Sequence, residues 1–515
     1  MNILVIRTHR LGDILQLTPM FRGLREAYPE SRVYFLTGEE FAPLIEGNPD
    51  VDAIISIPEK EYRYVLKNKP DRYASIFNEL YDLLCELRQK DFDLIINRQY
   101  EWGAVFAYLI GAEKIVGGTY SSEKGFYFED QPSKDLFAAI KGDRKANRYN
   151  LVDWACRIAG VPSGNHRQMH FHTGHGARKE AGRLICNTET ENERALVGIQ
   201  IGAAKSFRQW GEHNFTEVIN WLINEKQKKV ILIGSEDERE LFTRVEQELV
   251  GEGNNLINLI GKTSLKVTGA VLERCELLIT GDTGPMHMAA AVGTPVLSLF
   301  FGTAYPWETG PYGPGHFVLY SDVPCAPCSD LEHCERGHEC KEMMGPSVVM
   351  RAFEAFEAFQ KNKPINWEYA AAAVKLFVTS RDAEGEQVLL YPENLKDSLP
   401  RRDRFKVDVD EKRYLPWILL EKGDEIIRAF LEGECERGFL CFSDYLGQWL
   451  ALRGTLTEGR DGIETIPGLL QGCLEALKSR DTVTLMDAIE YGFKPLLEGS
   501  LSARHTSGGR CEDVR

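Results

Sequence analysis

The 515-residue sequence contains no run of about 18 apolar residues, so no membrane-spanning helix is expected in it. It also lacks any excess of positive charge. Its 61 Lys and Arg stand against 77 Asp and Glu, a formal net charge of −16. The average field therefore opposes nucleic acid and anionic surfaces, and any acidic ligand must be met by a local basic patch. The opening run NILVI, residues 2–6, is far shorter than the apolar core of a secretory signal and passes straight into charge. The expectation is a cytoplasmic protein. No compositional bias marks disorder or a fibre, since 43% hydrophobic and 27% charged residues are ordinary for a globular chain. No Asp-x-Asp pair stands at a suitable strand end, so that metal-bridging motif is missing. The twelve cysteines are scattered apart from one cluster, which without an export signal favours reduced thiols or a metal site over a disulfide framework.

What is present is alternation. Short β-branched runs at 2–6, 32–36, 53–57, 92–97 and 114–117 are separated by amphipathic segments. One of these is 74–90, where Ile76, Leu80, Leu83, Leu84 and Leu87 recur at helical spacing. Continuous apolar strands separated by helices indicate a parallel sheet covered on both faces. After a polar stretch the pattern restarts, with strands expected at 196–202, 229–235, 276–282 and 295–302 and a closing helix at 347–361. Beyond Pro364 the segments 367–378, 417–431, 440–452 and 466–477 are expected to be helical. The division implied is 1–170, 171–363 and an extension, 364–515.

The most informative stretch is ITGDTGPMHMAAAVGTPVLSLFFG. It places a strand, a turn at Asp282–Gly284 and a helix opening at Pro285. The free amides of such a turn can bind diphosphate, although Asp282 and Thr283 can equally serve only as helix caps. GAAKSFRQW follows another strand end with Lys205 and Arg208, and IGSEDE follows a third with Glu236. In a doubly wound sheet ligands gather at such ends. At the amino terminus, RTHRLGD places Arg7, His9 and Arg10 before Gly12, where a tight turn is expected, and Asp13.

Together RTHRLGD, GAAKSFRQW, IGSEDE, IGKTSL and the Asp-Thr-Gly-x-x-His turn resemble glycosyltransferase family nine, the ADP-heptose:lipopolysaccharide heptosyltransferases and their relatives. The resemblance covers about residues 1–360 and leaves the extension unexplained. It implies an α/β fold of the GT-B type, two Rossmann-like domains facing a central cleft, to which the residue pattern beyond Pro364 adds a mainly helical carboxyl-terminal extension. It further implies an inverting glycosyltransferase that works without a divalent ion. The second domain would hold a nucleotide-diphosphate sugar, ADP-heptose foremost. In it Arg208 would neutralise the diphosphate, Lys205 is a further donor-binding candidate, Glu236 would take the ribose hydroxyls, and Thr283 and Gly284 would bind phosphate. Asp282 would orient the sugar. His287 would either contact substrate or pack between helix and strand. Asp13 matches the proposed catalytic base.

An anionic glycolipid acceptor needs a basic lining. The run EKEYRYVLKNKPDRYAS supplies Lys60, Arg63, Lys67, Lys69 and Arg72, and Arg98 stands at a strand end. Arg10, Arg63 and Arg98 are the acceptor-binding candidates, and peripheral contact with the inner membrane follows from a lipid-bound acceptor. No cofactor is expected for catalysis. Cys325, Cys328, Cys334 and Cys340, within CAPCSDLEHCERGHEC, could close a structural zinc site or remain reduced thiols. The rival functions are a family member with another donor or a protein acceptor, and a silent sugar-nucleotide-binding or scaffold protein.

Overall fold

NILVI forms β1 (Asn2–Ile6), in which Ile3 to Ile6 have no exposed surface, as an inner strand covered on both faces must. It pairs in parallel with β2 (Arg32–Gly38) and β4 (Phe92–Asn97), and Ile3 lies opposite Val33 and Leu94. With β3 (Ala53–Ile57) and β5 (Ala112–Ser121) the order is β3-β2-β1-β4-β5, which reverses direction between β1 and β4. This computed structural model describes residues 1–99, 101–142, 144–161, 168–186, 196–203, 208–249, 255–328, 334, 336–365, 367, 374–382, 384–392 and 486.

The second sheet repeats the plan. β7 (Leu196–Gln200), β8 (Lys229–Ile233), β9 (Leu256–Asn258), β10 (Leu277–Gly281), β11 (Val296–Phe300) and β12 (Phe317–Ser321) run parallel in the order β9-β8-β7-β10-β11-β12. Here the reversal falls between β7 and β10, and Leu278 is opposite Gly198. The closing helix is Pro346–Gln360, whose Val348, Val349, Ala352, Phe353 and Phe356 are buried.

The expected helix at 367–378 is corrected by the fold. Val374–Arg381 is a strand, β13, paired antiparallel to β12 with Leu376 opposite Leu319, and β14 (Gln387–Leu390) continues the sheet. Both faces of β13 are covered, which leaves no polar alternation to mark it as a strand, and the preceding alanine run favours a helical reading. The helices expected at 417–431, 440–452 and 466–477 lie outside the described residues.

Both sheets belong to one compact unit, Met1–Gly118 with Asp143–Phe405. A second unit takes Thr119–Gly142 and Lys406–Arg515. Its described part holds the short strand β6 (Gly125–Phe128) and helix Gln131–Lys141, where the Asp130 carboxylate accepts from the Ser133 amide at 2.8 Å.

Candidate active site

The chain leaves β1 by a turn in which Arg10 takes the left-handed backbone, φ 68°, and then forms the short helix Leu11–Leu15. Asp13 lies in its first turn and is ion-paired with the Arg7 guanidinium. A second nitrogen of Arg7 donates to the Arg98 carbonyl at 2.6 Å, and the Arg98 amide donates to Ile6 at 3.0 Å. Two strand ends are thus stitched beneath the carboxylate, at the first sheet's reversal point.

Beside them, His9 Nδ1 lies 3.0 Å from Arg63 Nη2, 3.1 Å from Gln99 Nε2 and 3.4 Å from Glu59 Oε1. Burial would raise the Glu59 carboxyl, but hydrogen bonds from His9, Arg63 and Thr8 outweigh it and bring it down to about 2. Arg63 therefore reaches His9, in the turn that precedes Asp13, from helix Glu59–Asn68. Glu59 and Gln99, both buried, carry no recognisable sequence signal.

On the second sheet the reversal point holds a chain of polar side chains. Gln200 Oε1 accepts from Thr280 Oγ1 at 2.9 Å and Thr283 Oγ1 at 3.1 Å, and Gln200 Nε2 donates to Glu238 at 2.8 Å. Thr283 is the N-cap residue of helix Gly284–Ala291, yet its hydroxyl faces this network and makes no cap bond. The helix amides are consequently not capped by that side chain, the condition an anion site requires. Gln200 and Thr280 were overlooked, although a polar residue closing an apolar strand is the signal that could have found them.

Glu238, not Glu236, is the carboxylate buried in this network. Its second oxygen accepts from the Ser235 amide at 2.7 Å, and desolvation raises its proton affinity. β-carbons at Gly202 or Gly234 would collide with it, which explains both glycines. Glu236 stands at the rim, solvent-facing, with its carboxylate 2.7 Å from Arg239.

Arg208 Nε donates to Thr303 Oγ1 at 3.0 Å, and Nη1 lies 3.5 Å from Asp282. Burial raises the Asp282 carboxyl against the opposing pull of Arg208. Thr303 also offers its carbonyl to Arg144, 3.1 Å away, and Arg144 forks onto Glu308 at 2.6 and 3.1 Å. Arg144 and Glu308, which is 4% exposed, lie far apart in the chain and were invisible to sequence reasoning. Lys205 lies outside the described residues.

The two reversal points meet. Helix Leu11–Leu15 packs on helix Gly284–Ala291. A β-carbon at Gly12 would run into the His287 ring, and one at Gly284 would come within 3.2 Å of Leu11. Gly12 therefore serves close approach; the tight turn expected of it is made by Arg10. His287 is buried, and desolvation lowers it to about 4, so it is neutral at physiological pH with Nδ1 unpartnered among the described residues. Lys266 makes a second tie between the sheets by donating to the carbonyls of Glu46, at 2.9 Å, and His172.

The cysteine cluster stands apart from this region's polar network. Cys325, Cys328, Cys334 and Cys340 are free thiols, and burial together with the three neighbouring thiols raises Cys328 to about 11. Among the described residues no three His, Cys, Asp or Glu side chains are arranged to hold a metal ion. The four thiols are neighbours without being a formed zinc ligand set.

Two doubly wound sheets whose strand-end turns meet, one bearing a carboxylate and the other helix amides with an arginine, constitute the GT-B class of glycosyltransferase fold. The sequence model of glycosyltransferase family 9 (heptosyltransferase) matches residues 80–338, just over half of the chain, which belongs to this family and is a glycosyltransferase. Lipopolysaccharide heptosyltransferase 3 of Escherichia coli is 25% identical over 307 residues, 58% of this chain and 84% of that protein. Among solved structures, the glycosyl transferase family 9 protein of Veillonella parvula is 22% identical, with a TM-score of 0.56 over 69% of this chain and 96% of its own. The E. coli ADP-heptose lps heptosyltransferase II is 18% identical, with a TM-score of 0.52 over 70% of this chain and all of its own. Both structural likenesses are likenesses of fold. Strands β13 and β14 lie beyond the matched residues.

Proposed function

We propose that this glycosyltransferase moves a heptose, or a related sugar, from ADP-heptose to a lipopolysaccharide core or another cell-envelope glycan, at the inner face of the cytoplasmic membrane. The observation that carries the reading is the packing of the Asp13 helix on the Asp282–Thr283–Gly284 helix, which brings a carboxylate to an anion-binding turn. In the proposed reaction Asp13 takes the proton of the acceptor hydroxyl as its oxygen forms a bond to the anomeric carbon. The bond from that carbon to the diphosphate oxygen breaks, and its electron pair leaves with ADP. Attack opposite the leaving group gives inversion in a single displacement.

Charge develops on the departing diphosphate, where Arg208 and the amides of Thr283 and Gly284 would stabilise it in place of a divalent ion. Glu238 is already saturated with hydrogen bonds, which leaves rim-facing Glu236 for the ribose hydroxyls. Asp282 would orient the sugar, with neutral His287 behind the turn. Arg10, Arg63 and Arg98 would receive the anionic acceptor.

The test is ADP release from ADP-heptose with a Kdo-containing core acceptor, in buffer with and without EDTA. Asp13→Asn is expected to lower turnover at least about a hundredfold while ADP binding stays within a few-fold. EDTA is expected to leave the rate unchanged. Tight ADP-heptose binding with no transfer to any core fragment would instead support the silent binding protein. Transfer only from another donor, or only to protein, would support a different family specificity.

A further inference from the structure

The helix that carries Arg63 to His9 also bears an exposed stripe beside that arginine. Lys60, Tyr64 and Lys67 recur at spacings of four and three, opposite buried Val65, and so share one outward stripe. The next helix, Tyr73–Arg88, buries Ile76, Leu84 and Leu87 and leaves Tyr73, Phe77 and Tyr81 exposed along a flanking stripe at spacings of four. Phe77 is 68% exposed, Tyr64 57% and Tyr81 56%, unusual values for large aromatic side chains, and the Phe77 and Tyr81 rings stack at 6.4 Å.

Three bonds hold the helices side by side. Tyr62 donates to Glu79 at 3.0 Å, Arg72 to Glu61 at 3.0 Å, and the Tyr73 hydroxyl to the Leu66 carbonyl at 2.8 Å. Leu66 is itself 52% exposed. Within this surface Arg63 is paired with Glu59 and Arg72 with Glu61, whereas Lys60, Lys67 and Lys69 enter no ion pair among the described residues. Residues 59–72 carry five Lys and Arg against three Asp and Glu, a local reversal of sign on a chain of net charge −16.

We propose that this face, formed by helices Glu59–Asn68 and Tyr73–Arg88, docks on an anionic phospholipid bilayer. Phe77 and the tyrosines enter the headgroup boundary, where rings with a polar edge are favoured, while the three lysines meet lipid phosphates. No helix among the described residues is long and apolar enough to cross a membrane, so this is attachment at the surface. The inference deepens the proposed function, because it rests on a lipid-borne acceptor. Arg63 reaches His9 at the Asp13 turn from the edge of the same stripe, beside Lys60 and Lys67, so docking delivers the glycolipid's sugar to Asp13 while its acyl chains stay in the membrane.

The test is co-sedimentation of the full chain with vesicles of phosphatidylethanolamine and phosphatidylglycerol, beside pure phosphatidylcholine. Binding to the anionic vesicles is expected, with loss at high salt. Each lysine near such a surface strengthens binding roughly fivefold, so Lys67→Gln with Lys69→Gln should weaken it about twenty-fivefold. Phe77→Ser with Tyr81→Ser should weaken it at least tenfold and leave transfer to a de-acylated, soluble acceptor unchanged. Equal binding to neutral vesicles, or anionic binding unmoved by both double variants, overturns the proposal. So does a dimer that the Phe77 and Tyr81 variants convert to monomer, since the face would then belong to a second copy. Vesicle binding that behaves as expected, with no sugar transfer to any acceptor, would sink the proposed function and leave the docking face standing.

Discussion

At the scale of single residues, the candidate site is controlled by arginines whose partners differ. Arg144 holds Glu308 in a buried fork and the Thr303 carbonyl with its third nitrogen, and Thr303 in turn holds Arg208. Removing one member of such a pair strands the other charge without water. Arg144→Ala should therefore cost about 3 kcal/mol or more in chemical denaturation, and should also weaken ADP binding through Arg208. Arg144→Lys keeps the charge but loses the fork and should fall between. A loss below about 1 kcal/mol in the alanine variant would show that the pair is not structural.

Glu59 supplies a second residue-scale expectation with a definite sign. Its carboxyl falls from an ordinary 4.5 to about 2 in the fold, so the native state releases this proton more readily than the unfolded chain. The resulting stabilisation is full above about pH 4.5 and fades as pH falls towards 2, and at most it is on the order of 3 kcal/mol. Denaturation midpoints between pH 5 and 2 should fall more steeply in the native protein than in Glu59→Gln. Parallel profiles would contradict it.

At the scale of elements, the decisive contact is one helix on another. Gly12→Ala places a methyl group against the His287 ring, an overpacking that should cost about 1–3 kcal/mol and depress turnover. His287→Ala in the same chain removes the obstructing ring, so the double variant should regain part of the stability lost by Gly12→Ala alone. Additive losses in the double-mutant cycle would mean that the two residues do not touch in solution. Legibility also varied by element. The runs that became β1, β4, β7, β10 and β11 are plain because each is short, rich in Val, Ile and Leu, and followed by glycine or a polar residue. By contrast β9, three residues long, and β12 do not stand out in the sequence, and the run that forms β13 reads as helix. Shortness and burial on both faces remove the alternation by which a strand is recognised.

At the scale of the molecule, the second sheet does not stop where the family's sequence pattern stops. β13 covers the edge of β12, and the β14 region is anchored elsewhere in the same compact unit. The Gln387 amide donates to Asp153 at 3.2 Å, Tyr312 donates to the same buried carboxylate at 2.7 Å, and Glu386 pairs with Arg157. Truncation after Lys363 should thus expose β12, leave Asp153 short of a donor and lower the melting temperature by roughly 10 °C or more. Truncation after Phe405, at the boundary of the unit, should not do so. Equal melting temperatures in the two truncated chains would show that the added strands are dispensable.

Periodicity and turn chemistry, which act over a few neighbouring residues, are enough to lay out most of the strands and helices of the two doubly wound sheets, though not β9, β12 or β13. The sequence by itself also pointed to the turns carrying Asp13 and Asp282–Gly284, since strand ends advertise themselves by their residues. Only the tertiary structure decided that the Asp13 helix lies on the Gly284 helix, that Glu238 is consumed internally while Glu236 faces out, and that Arg144 reaches Glu308. These depend on groups distant in the chain competing for the same donors and the same space, a contest that no local pattern records.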